Sequence, residues 1–336
     1  MSLTGASAAA LPAEAFEPAA PPPGVSYEEA ARRIEGRSTL QLAWARLKRD
    51  RGAMIALALI VMICLVAIFA PAFAAITGHG VNHPYFDTGL TPNGLPVGPS
   101  RHFLLGTDDQ GRDILVRIAY GARISLLVGV AVTFAVVLIG AALGLAAGFF
   151  GGLVDTVIAR VIDIVLSLPY LLFALSLYSV GFLGGGQGSF LGFQGLPIII
   201  FVIAVFSWAA IARIVRGQVL SIREKEYIEA ARSLGAGSWR IMIIDILPNV
   251  AAQLIVYATL LIPVTIVTEA ALSFLGIGVP PPTADWGQMI SEAQGVYQQA
   301  WWFLVFPSAA IVITTLAFNI FGDGVRDALD PRIDRL

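Results

Sequence analysis

Histidine and carboxylate side chains are the residues of this chain that could bind a metal ion. All three histidines, His79, His83 and His102, fall within one segment that also holds Asp87 and Asp108. Imidazole and carboxylate groups together are ligands for transition metals. The segment is rich in Gly and Pro, however, and the long gap after His83 gives no reason for the rings to converge. We therefore expect solvated loop residues and predict no metal site.

Carboxylates inside apolar segments are a second group of candidates, because charge in a membrane is costly and usually functional. Asp155, Arg160 and Asp163 lie near one end of an apolar segment. Arg160 and Asp163 are helical neighbours and are predicted to form a structural ion pair; a proton relay is the alternative. Glu269, near the end of another apolar segment, is a candidate to contact a substrate amine or a partner, or to fix the adjacent loop.

Asp285 and Trp286 follow three consecutive prolines, residues 280–282. A stiff proline-rich stretch that ends in an aromatic residue could form a docking surface or a small gate. Anchoring at the membrane interface explains Trp286, Trp301 and Trp302 equally well. Glu269, Asp285 and Trp286 are therefore kept together as candidates for a pathway or outer gate.

Catalytic motifs are absent from the sequence. It contains no GxxxxGK[ST] phosphate loop, so the chain does not hydrolyse ATP by that route. Nucleophile-elbow and metalloprotease motifs are also missing. The single cysteine, Cys64, lies in an apolar run and is interpreted as a packing residue. A net charge of −2 gives no reason to expect a nucleic-acid partner. These observations predict that the chain is not an enzyme.

The composition predicts a membrane protein. Apolar residues make up 57% of the chain and charged residues 13%, against about 25% charged residues in an ordinary soluble domain. Six apolar segments are each long enough for a helix to cross a hydrocarbon layer of about 30 Å. They cover residues 53–76, 122–149, 156–180, 196–215, 250–272 and 301–321. The predicted fold class is all-α and polytopic, with six transmembrane helices.

The second apolar segment carries Gly140, Gly144 and Gly148, each four residues from the next. Residues at this spacing lie on one face of a helix, and small residues there let another membrane helix approach closely. We predict that this face packs against a helix of the same chain.

The distribution of basic residues predicts the orientation, because cytoplasmic loops are enriched in Lys and Arg. Seventeen of the 21 basic residues fall on the side that holds both termini, which we therefore predict to be cytoplasmic. The other four are expected along the outer membrane surface: Arg101, Arg112, Arg117 and Arg123. Residues 1–45 are rich in Ala and Pro and lack the pattern of a signal peptide, so we expect a disordered cytoplasmic tail.

The loop between the fourth and fifth spans predicts a short amphipathic helix over residues 225–234. Its apolar face is formed by Tyr227, Ala230, Ala231 and Leu234. Gly235 predicts the end of the helix, and Pro248 suits the start of the next span. Such a helix lies in lipid headgroups or docks in a groove of a partner. The small side chains of Ala230 and Ala231 favour the partner.

This loop resembles a known family. Glu229-Ala230-Ala231, Gly235 and Leu247-Pro248 match, with the same spacing, the EAA motif of binding-protein-dependent ABC importer permeases; Asp245 stands where the family usually has isoleucine. The resemblance implies that the loop is the coupling helix, which seats in a cleft of an ATP-binding subunit. The residues to which it carries this coupling role are Tyr227, Glu229, Ala230, Ala231, Leu234, Gly235, Leu247 and Pro248.

Three further stretches resemble the dipeptide, oligopeptide and nickel branch of that family: residues 104–129, 269–290 and 318–332. The pattern is similar to the second permease subunit of the dipeptide and oligopeptide type. The resemblance implies a type I ABC permease fold and ATP-driven import of short peptides. Nickel chelates and glutathione are alternative substrates for the same architecture.

The same resemblance implies the partners and the location of the chain. The partners are a homologous second permease subunit in a heterodimer, two ATP-binding subunits that hold ATP and Mg²⁺, an extracytoplasmic solute-binding protein and membrane lipid. The location is a bacterial inner membrane, with both termini in the cytoplasm. The chain itself is expected to hold no cofactor.

On this basis we divide the chain into five parts. They are the tail (1–45), an anchor with the first span (46–76), an extracytoplasmic loop with a surface helix (77–121), a core permease domain of five spans with the coupling helix at 225–235 (122–321), and a cytoplasmic C-terminal tail (322–336). An ion-coupled secondary transporter is the rival hypothesis, and it needs carboxylates near the middle of the membrane. A non-transporting scaffold or membrane enzyme is disfavoured by the coupling loop.

Overall fold

The computed structural model describes residues 39–179 and 196–330. The helices are α1 (Thr39–Leu47), α2 (Arg51–Ile68), α3 (Ala70–Thr77), α4 (Phe86–Gly89), α5 (Ile114–Phe150), α6 (Gly152–Ser167), α7 (Tyr170–Ser179), α8 (Leu196–Arg223), α9 (Glu226–Ser233), α10 (Ser238–Arg240), α11 (Leu247–Phe274), α12 (Trp286–Ala293) and α13 (Trp301–Leu329). A π-helical turn, Ile241–Ile246, joins α10 to α11. The β-structure of the described ranges is two isolated bridges, in the loops between α4 and α5.

Within the described residues, five helices are long and apolar enough to cross a membrane: Arg51–Ile68, Ile114–Phe150, Leu196–Arg223, Ser238–Phe274 and Trp301–Leu329. The pair α6 and α7 provides a sixth span if the two form one, although they meet at a bend of 77°. The bend falls at Pro169, and Leu168 before it is extended, as a residue preceding proline prefers. The all-α polytopic class is confirmed. Val180, the predicted end of the third span, lies outside the described residues.

Three boundaries of the predicted five-part division differ in the structure. α5 begins at Ile114, so residues 114–121 extend the second span instead of forming a separate surface helix. α13 continues to Leu329, so the predicted C-terminal tail is helical at its start. α1 occupies part of the predicted disordered tail, because its apolar side, with Ala43 and Leu47, packs on Val325 and neighbouring residues of α13. The remainder of that tail, residues 1–38, lies outside the described ranges.

α5 and α8 form the centre of the helix packing. The glycine face of α5 lies against α8, where Gly140 meets Ile211, Gly144 meets Ala212 and Val215, and Gly148 meets Val219. A Cβ atom at these glycines would approach atoms of α8 to 2.6–2.8 Å, which only glycine avoids. The prediction that this face packs within the chain is therefore confirmed.

The bundle has two ends, which we name by what they carry. The capped end consists of residues 78–113, α12 and the first turns of α5. The coupling end consists of α1, α9, residues 234–249 and the last turns of α13. Arg46 Nη1 donates hydrogen bonds to the carbonyl groups of Ala328 and Asp330, at 3.4 and 3.1 Å. The first described helix, α1, and the end of the last one, α13, therefore meet at the coupling end.

Candidate functional site

The helix α9 lies where the sequence places the coupling helix, and its contacts with the bundle include a buried side chain and a cation–π pair. Ile228 is fully buried and belongs to the hydrophobic core that α5, α8 and α11 share. The guanidinium group of Arg232 stands over the ring of Phe149 at the end of α5, 5.4 Å from its centroid. Sequence reasoning missed both contacts, because Ile228 lies off the apolar face that it selected.

The face of α9 assigned to a partner points away from the bundle. Tyr227 is 43% exposed and Leu234 is 89% exposed. Glu229 and Ala230 are exposed as well, and Ala231 is half-buried. This chain therefore leaves most of that surface, apolar and acidic together, open to another protein.

Gly235 ends α9 in a conformation that suits glycine. Its φ is +81°, in the left-handed region. The Gly235 N–H donates to the Arg232 carbonyl at 2.9 Å and the Ala236 N–H to the Ala231 carbonyl at 3.0 Å, which is the Schellman pattern of a helix C-terminus. A Cβ atom would meet nothing within 4 Å. The requirement for glycine is therefore conformational and not steric.

Leu247 and Pro248 lie within a continuous helical rod. α10, the π-helical turn and α11 run without a break from Ser238 to Phe274, a length of roughly 55 Å at 1.5 Å per residue. Pro248 has no backbone N–H to donate to the preceding turn of the helix. In the π-helical turn that precedes α11, each N–H bonds to the carbonyl five residues earlier instead of four. The rod therefore connects the segment next to α9 with the capped end through continuous helical structure.

Asn249 links this rod to α9. Its Nδ2 donates to the Asp245 carbonyl at 2.6 Å and to Tyr227 Oη at 3.4 Å. Asp245 takes part in this contact through its backbone carbonyl. Aspartate in place of the isoleucine that is usual at this position therefore leaves the contact intact.

Glu269 and Asp285, two of the outer-gate candidates, are fully buried at the capped end. The Glu269 carboxylate accepts hydrogen bonds from Ser125 Oγ at 3.1 Å and Ser273 Oγ at 3.0 Å. Asp285 lies beside Glu269 and caps α12 by accepting from the Gln288 N–H at 3.2 Å. These contacts fix the loop after α11, which is one of the two roles that the sequence left open for Glu269.

Trp286 is buried as well, which corrects its interpretation as an exposed docking residue or an interfacial anchor. It is 1% exposed, and its Nε1 donates to the Ile118 carbonyl at 3.0 Å. A Cβ atom at Gly121 would lie 2.8 Å from its ring, so the indole packs tightly on α5. Trp301, at 55% exposure, keeps the character expected of an interfacial residue.

Asp163 does not pair with Arg160, which corrects a second prediction. Its carboxylate accepts a hydrogen bond from Arg213 Nη2 at 2.5 Å. Asp155 forms a two-pronged pair with Arg216, whose Nη2 donates at 2.8 Å. Packing of α6 on α8 brings these arginines opposite the carboxylates, so pairing between helices replaces pairing along α6.

His79 is buried and not a solvated loop residue, although His83 and His102 are exposed as expected. Its Nδ1 lies 2.6 Å from Asp113 Oδ2, and its ring stacks on Phe103 with centroids 4.6 Å apart. The histidine therefore joins the loop to the N-terminal cap of α5.

Four charged side chains form a buried network at the capped end, which we call the cap network. Arg112 donates from Nε to Asp108 at 2.6 Å and from Nη2 to Glu292 at 3.0 Å. Arg117 lies 3.3 Å from the same Asp108 oxygen and 3.5 Å from Glu292. Both arginines are at most 2% exposed, which corrects their predicted position on the outer surface. No local pattern reveals a partner 180 positions away.

Burial changes the pKa of Glu292 in the cap network and of Asp109 beside it. It raises the pKa of Glu292, although the guanidinium groups of Arg117 and Arg112 act to lower it. Burial also raises the pKa of the neighbouring Asp109, and Asp108 adds to that effect. Oxygen atoms of Asp108, Asp109 and Glu292 come within 4.8 Å of one another, but the two arginines already neutralise most of this charge. The cluster is therefore explained without a metal ion.

The sequence matches known families over most of its length. Residues 140–335 match the family of the binding-protein-dependent transport system inner membrane component, and residues 38–93 match the N-terminal TM domain of oligopeptide transport permease C. The chain is 39% identical over 323 residues to the oligopeptide transport system permease protein of Bacillus subtilis, covering 96% of this chain and 98% of that protein.

Other relatives carry different substrate names. The di/tripeptide transport system permease protein of Pseudomonas aeruginosa is 39% identical over 296 residues, which is 88% of this chain and 93% of that protein. The glutathione transport system permease protein of Pectobacterium atrosepticum is 37% identical over 290 residues, 86% of this chain and 90% of that protein.

The apolar helices of the described residues are those of a membrane-embedded protein. The chain belongs to the family of inner membrane components of binding-protein-dependent transport systems. It is thus a multi-pass permease component of an ABC importer, in which separate subunits carry the ATPase activity. The resemblance drawn from the EAA motif is confirmed.

Proposed function

We propose that this chain is one of two permease subunits of an ATP-driven importer of di- and oligopeptides. The observation that carries the proposal is near full-length similarity to relatives named for oligopeptide and di/tripeptide transport. Glutathione, which is itself a small peptide, is the second candidate, because a relative of similar identity bears that name.

The chain couples to an ATP-binding subunit through α9. The exposed Tyr227, Glu229 and Leu234 supply the docking surface, and the left-handed Gly235 sets the direction of the chain after it. Leu247 and Pro248 lie in the rod that carries the movement into α11. The support for this step is that α9 is attached through few contacts and leaves its apolar face open.

The coupling end faces the cytoplasm of a bacterium and the capped end faces the solute-binding protein. Most of the basic residues lie on the side of the termini, which supports this orientation in the inner membrane. A homologous permease completes the translocation path, and two ATP-binding subunits hold ATP and Mg²⁺. Glu269, Asp285 and Trp286 act on the outer gate indirectly, by fixing the capped end from within.

The coupling role is tested in proteoliposomes that contain the complete importer and its loaded binding protein. Leu234→Asp and Glu229→Lys are expected to reduce stimulated ATPase activity and peptide uptake to the unstimulated level, while the complex still assembles. Asp87→Lys, a charge reversal at an exposed position of the capped end, is the control and is expected to retain both. Normal uptake by the two α9 variants would exclude this docking surface.

The substrate is tested on the cognate binding protein, by thermal shift with a dipeptide, a pentapeptide and reduced glutathione, followed by uptake of each ligand that stabilises it. Peptide uptake that survives an uncoupler and stops without ATP is the expected result. Stabilisation and uptake of glutathione alone would replace peptides by the second candidate. Uptake that stops with the uncoupler while ATP is present would favour ion coupling.

A further inference from the structure

A cleft of about 830 Å³ lies between α11 and α13 at the coupling end. Sites for small molecules commonly have volumes of roughly 300–1,000 Å³. The docking surface of α9 and the gate candidates do not include this cleft, although Pro248 of the family motif and Arg326 of the family-like C-terminal stretch line it.

One face of α11 presents two parallel rows of side chains to the cleft. The polar row consists of Asn249, Gln253 and Tyr257, and the apolar row consists of Ala252, Val256 and Leu260. Residues four apart stand one above another on a helix, so each row is continuous. Together they extend for roughly 17 Å along the helix axis. The wall therefore combines hydrogen-bonding groups with an apolar strip.

The cleft is closed at its inner end by contact between the two helices. A Cβ atom at Gly322 of α13 would lie 2.7 Å from the Leu260 side chain, so glycine allows this approach. From there the cleft extends to Asn249 on α11 and to Arg326 on α13. The cleft is therefore narrow beside Gly322 and reaches the coupling end at Asn249 and Arg326.

The polar side chains of the cleft have unused bonding capacity. Arg326 is exposed, and none of the ion pairs within residues 39–179 and 196–330 involves its guanidinium group. The Gln253 and Tyr257 side chains likewise form no hydrogen bond to another residue of those ranges. A lone surface arginine is ordinary, and the acidic residue Asp330 also lines the cleft. An arginine that stands in a cleft beside amide and phenol groups can pair with a carboxylate and leave the amides to bond to peptide groups.

We propose that the cleft binds a short peptide with a free C-terminal carboxylate, entering from the coupling end. Arg326 pairs with that carboxylate in the planar two-pronged geometry that guanidinium offers. The amides of Asn249 and Gln253 bond to the peptide backbone, and the apolar row contacts its side chains. At 3.3–3.6 Å per extended residue, the rows accommodate up to about five residues.

This inference rests on the proposed function, because it takes the coupling end as cytoplasmic and peptides as the cargo. The cleft is then a product-side site. Asn249 also donates to Tyr227 of α9, so a peptide that takes over this amide weakens the link between the rod and the docking helix. Accumulated product would reduce coupled ATP hydrolysis in this way.

The test uses the complete importer in phosphatidylcholine nanodiscs, without its binding protein and without ATP. Binding of Ala-Phe-Ala is measured by titration calorimetry and compared with the same peptide carrying a C-terminal amide. A charge-assisted pair predicts that amidation weakens binding by about tenfold or more. Equal affinity for the acid and the amide would overturn the proposal.

Variants of cleft residues test whether the difference in affinity between the free acid and the amide arises in the cleft. Arg326→Gln is expected to weaken the free acid about as much as amidation does and to leave the amide nearly unchanged, and Arg326→Lys to fall between. Arg101→Gln removes an exposed arginine at the capped end and is expected to change neither affinity. Ala252→Trp fills the cleft and is expected to abolish binding of both peptides, with thermal denaturation reporting its folding. Unchanged affinity in Arg326→Gln would also refute the assignment.

Two further measurements separate the outcomes. If phosphatidylglycerol nanodiscs abolish binding that phosphatidylcholine permits, a lipid headgroup occupies the cleft and the peptide assignment is wrong. Uptake by the wild-type importer with its binding protein is measured in parallel. Normal peptide uptake without cleft binding defeats this inference alone, whereas absence of uptake of any peptide defeats the proposed function.

Discussion

The two ends of the bundle differ in how deeply their charged side chains are buried. At the capped end, Asp108, Arg112 and Arg117 are at most 2% exposed, and Glu269 and Asp285 are fully buried. At the coupling end, the charged side chains of α9 are exposed. Among the tryptophans of these two ends, Trp286 is buried in the cap while Trp239 at the coupling end is 74% exposed.

This difference indicates which end holds its shape. A buried charge is tolerated only where its partners stay in place, so the cap network and the Glu269 contacts tie α12 and the preceding loops to α5. The helix α9 relies on the buried Ile228 and a few polar contacts, and segments with few buried contacts open most easily. The contacts therefore indicate that α9 opens more readily than the capped end.

The largest effect is expected from breaking the cap network. Arg117→Met leaves the buried Asp108 and the largely buried Glu292 with one cation fewer, and loss of one partner of a buried pair costs about 3–5 kcal/mol. Chemical denaturation of the purified permease complex in detergent should show a clearly lower midpoint. Arg101→Met, at an exposed position of the same end, is expected to change stability by less than about 0.5 kcal/mol. Similar midpoints for the two variants would mean that the cap network stabilises nothing.

A smaller and local effect is expected at the coupling end. Ile228→Ala removes the buried anchor of α9, and such truncations cost roughly 2–5 kcal/mol at well-packed sites. Hydrogen exchange should accelerate in α9 and leave α12 protected, because α9 opens separately from the cap. Leu234→Ala, at the exposed end of the helix, serves as the control and should leave exchange in α9 unchanged. Acceleration in α12 would contradict the independence of the two ends.

Local patterns account for what could be predicted from the sequence. The apolar runs, the spacing of Gly140, Gly144 and Gly148, and the helix signals around Gly235 each lie within a few turns of one helix. The bend at Pro169 is also local, although its size of 77° is not. The spans, the α5 packing face and the location of α9 could therefore be derived before the structure.

The errors concern contacts between distant parts of the chain. Arg117 was expected along the outer membrane surface because it is one of four basic residues clustered on the exterior side, but it is buried against Glu292 of another helix. The predicted Arg160–Asp163 pair satisfied helical spacing, yet Asp163 pairs with Arg213 of α8. For Trp286 the composition of the loop gave no sign that Gly121 leaves space for its ring. Burial of such side chains depends on tertiary packing, which no local pattern encodes.

A third prediction concerns the end of α9. Gly235→Ala forces a residue with a Cβ atom into the left-handed region and should destabilise the C-terminus of α9 by about 1 kcal/mol. Gly235→Asn should cost less, since Asn tolerates this conformation. Peptide-stimulated ATPase activity should fall in the order Gly, Asn, Ala, with denaturation midpoints nearly equal. A steric origin would instead penalise Asn more than Ala, because Asn is larger.

The smallest effect is expected from the pH dependence of the cap. Burial raises the pKa of Glu292 above its usual 4.5, and the groups that face it are Arg112, Arg117, Asp108 and Asp109. A raised pKa means that folding favours the protonated form. The stability that this group contributes is therefore complete below the ordinary glutamate pKa and is lost as the pH rises through the raised value.

Glu292→Gln separates this contribution from the rest of the protein. Exchange in α12, corrected for the intrinsic effect of pH, should become faster in the wild type as the pH rises from about 4.5 towards neutrality. The slope should be shallower in the Gln variant, which cannot titrate at this position. Exchange in α9 should show the same pH dependence in both proteins, because the group lies at the other end of the bundle. An unchanged slope in α12 would show that Arg112 and Arg117 outweigh burial and hold Glu292 ionised throughout.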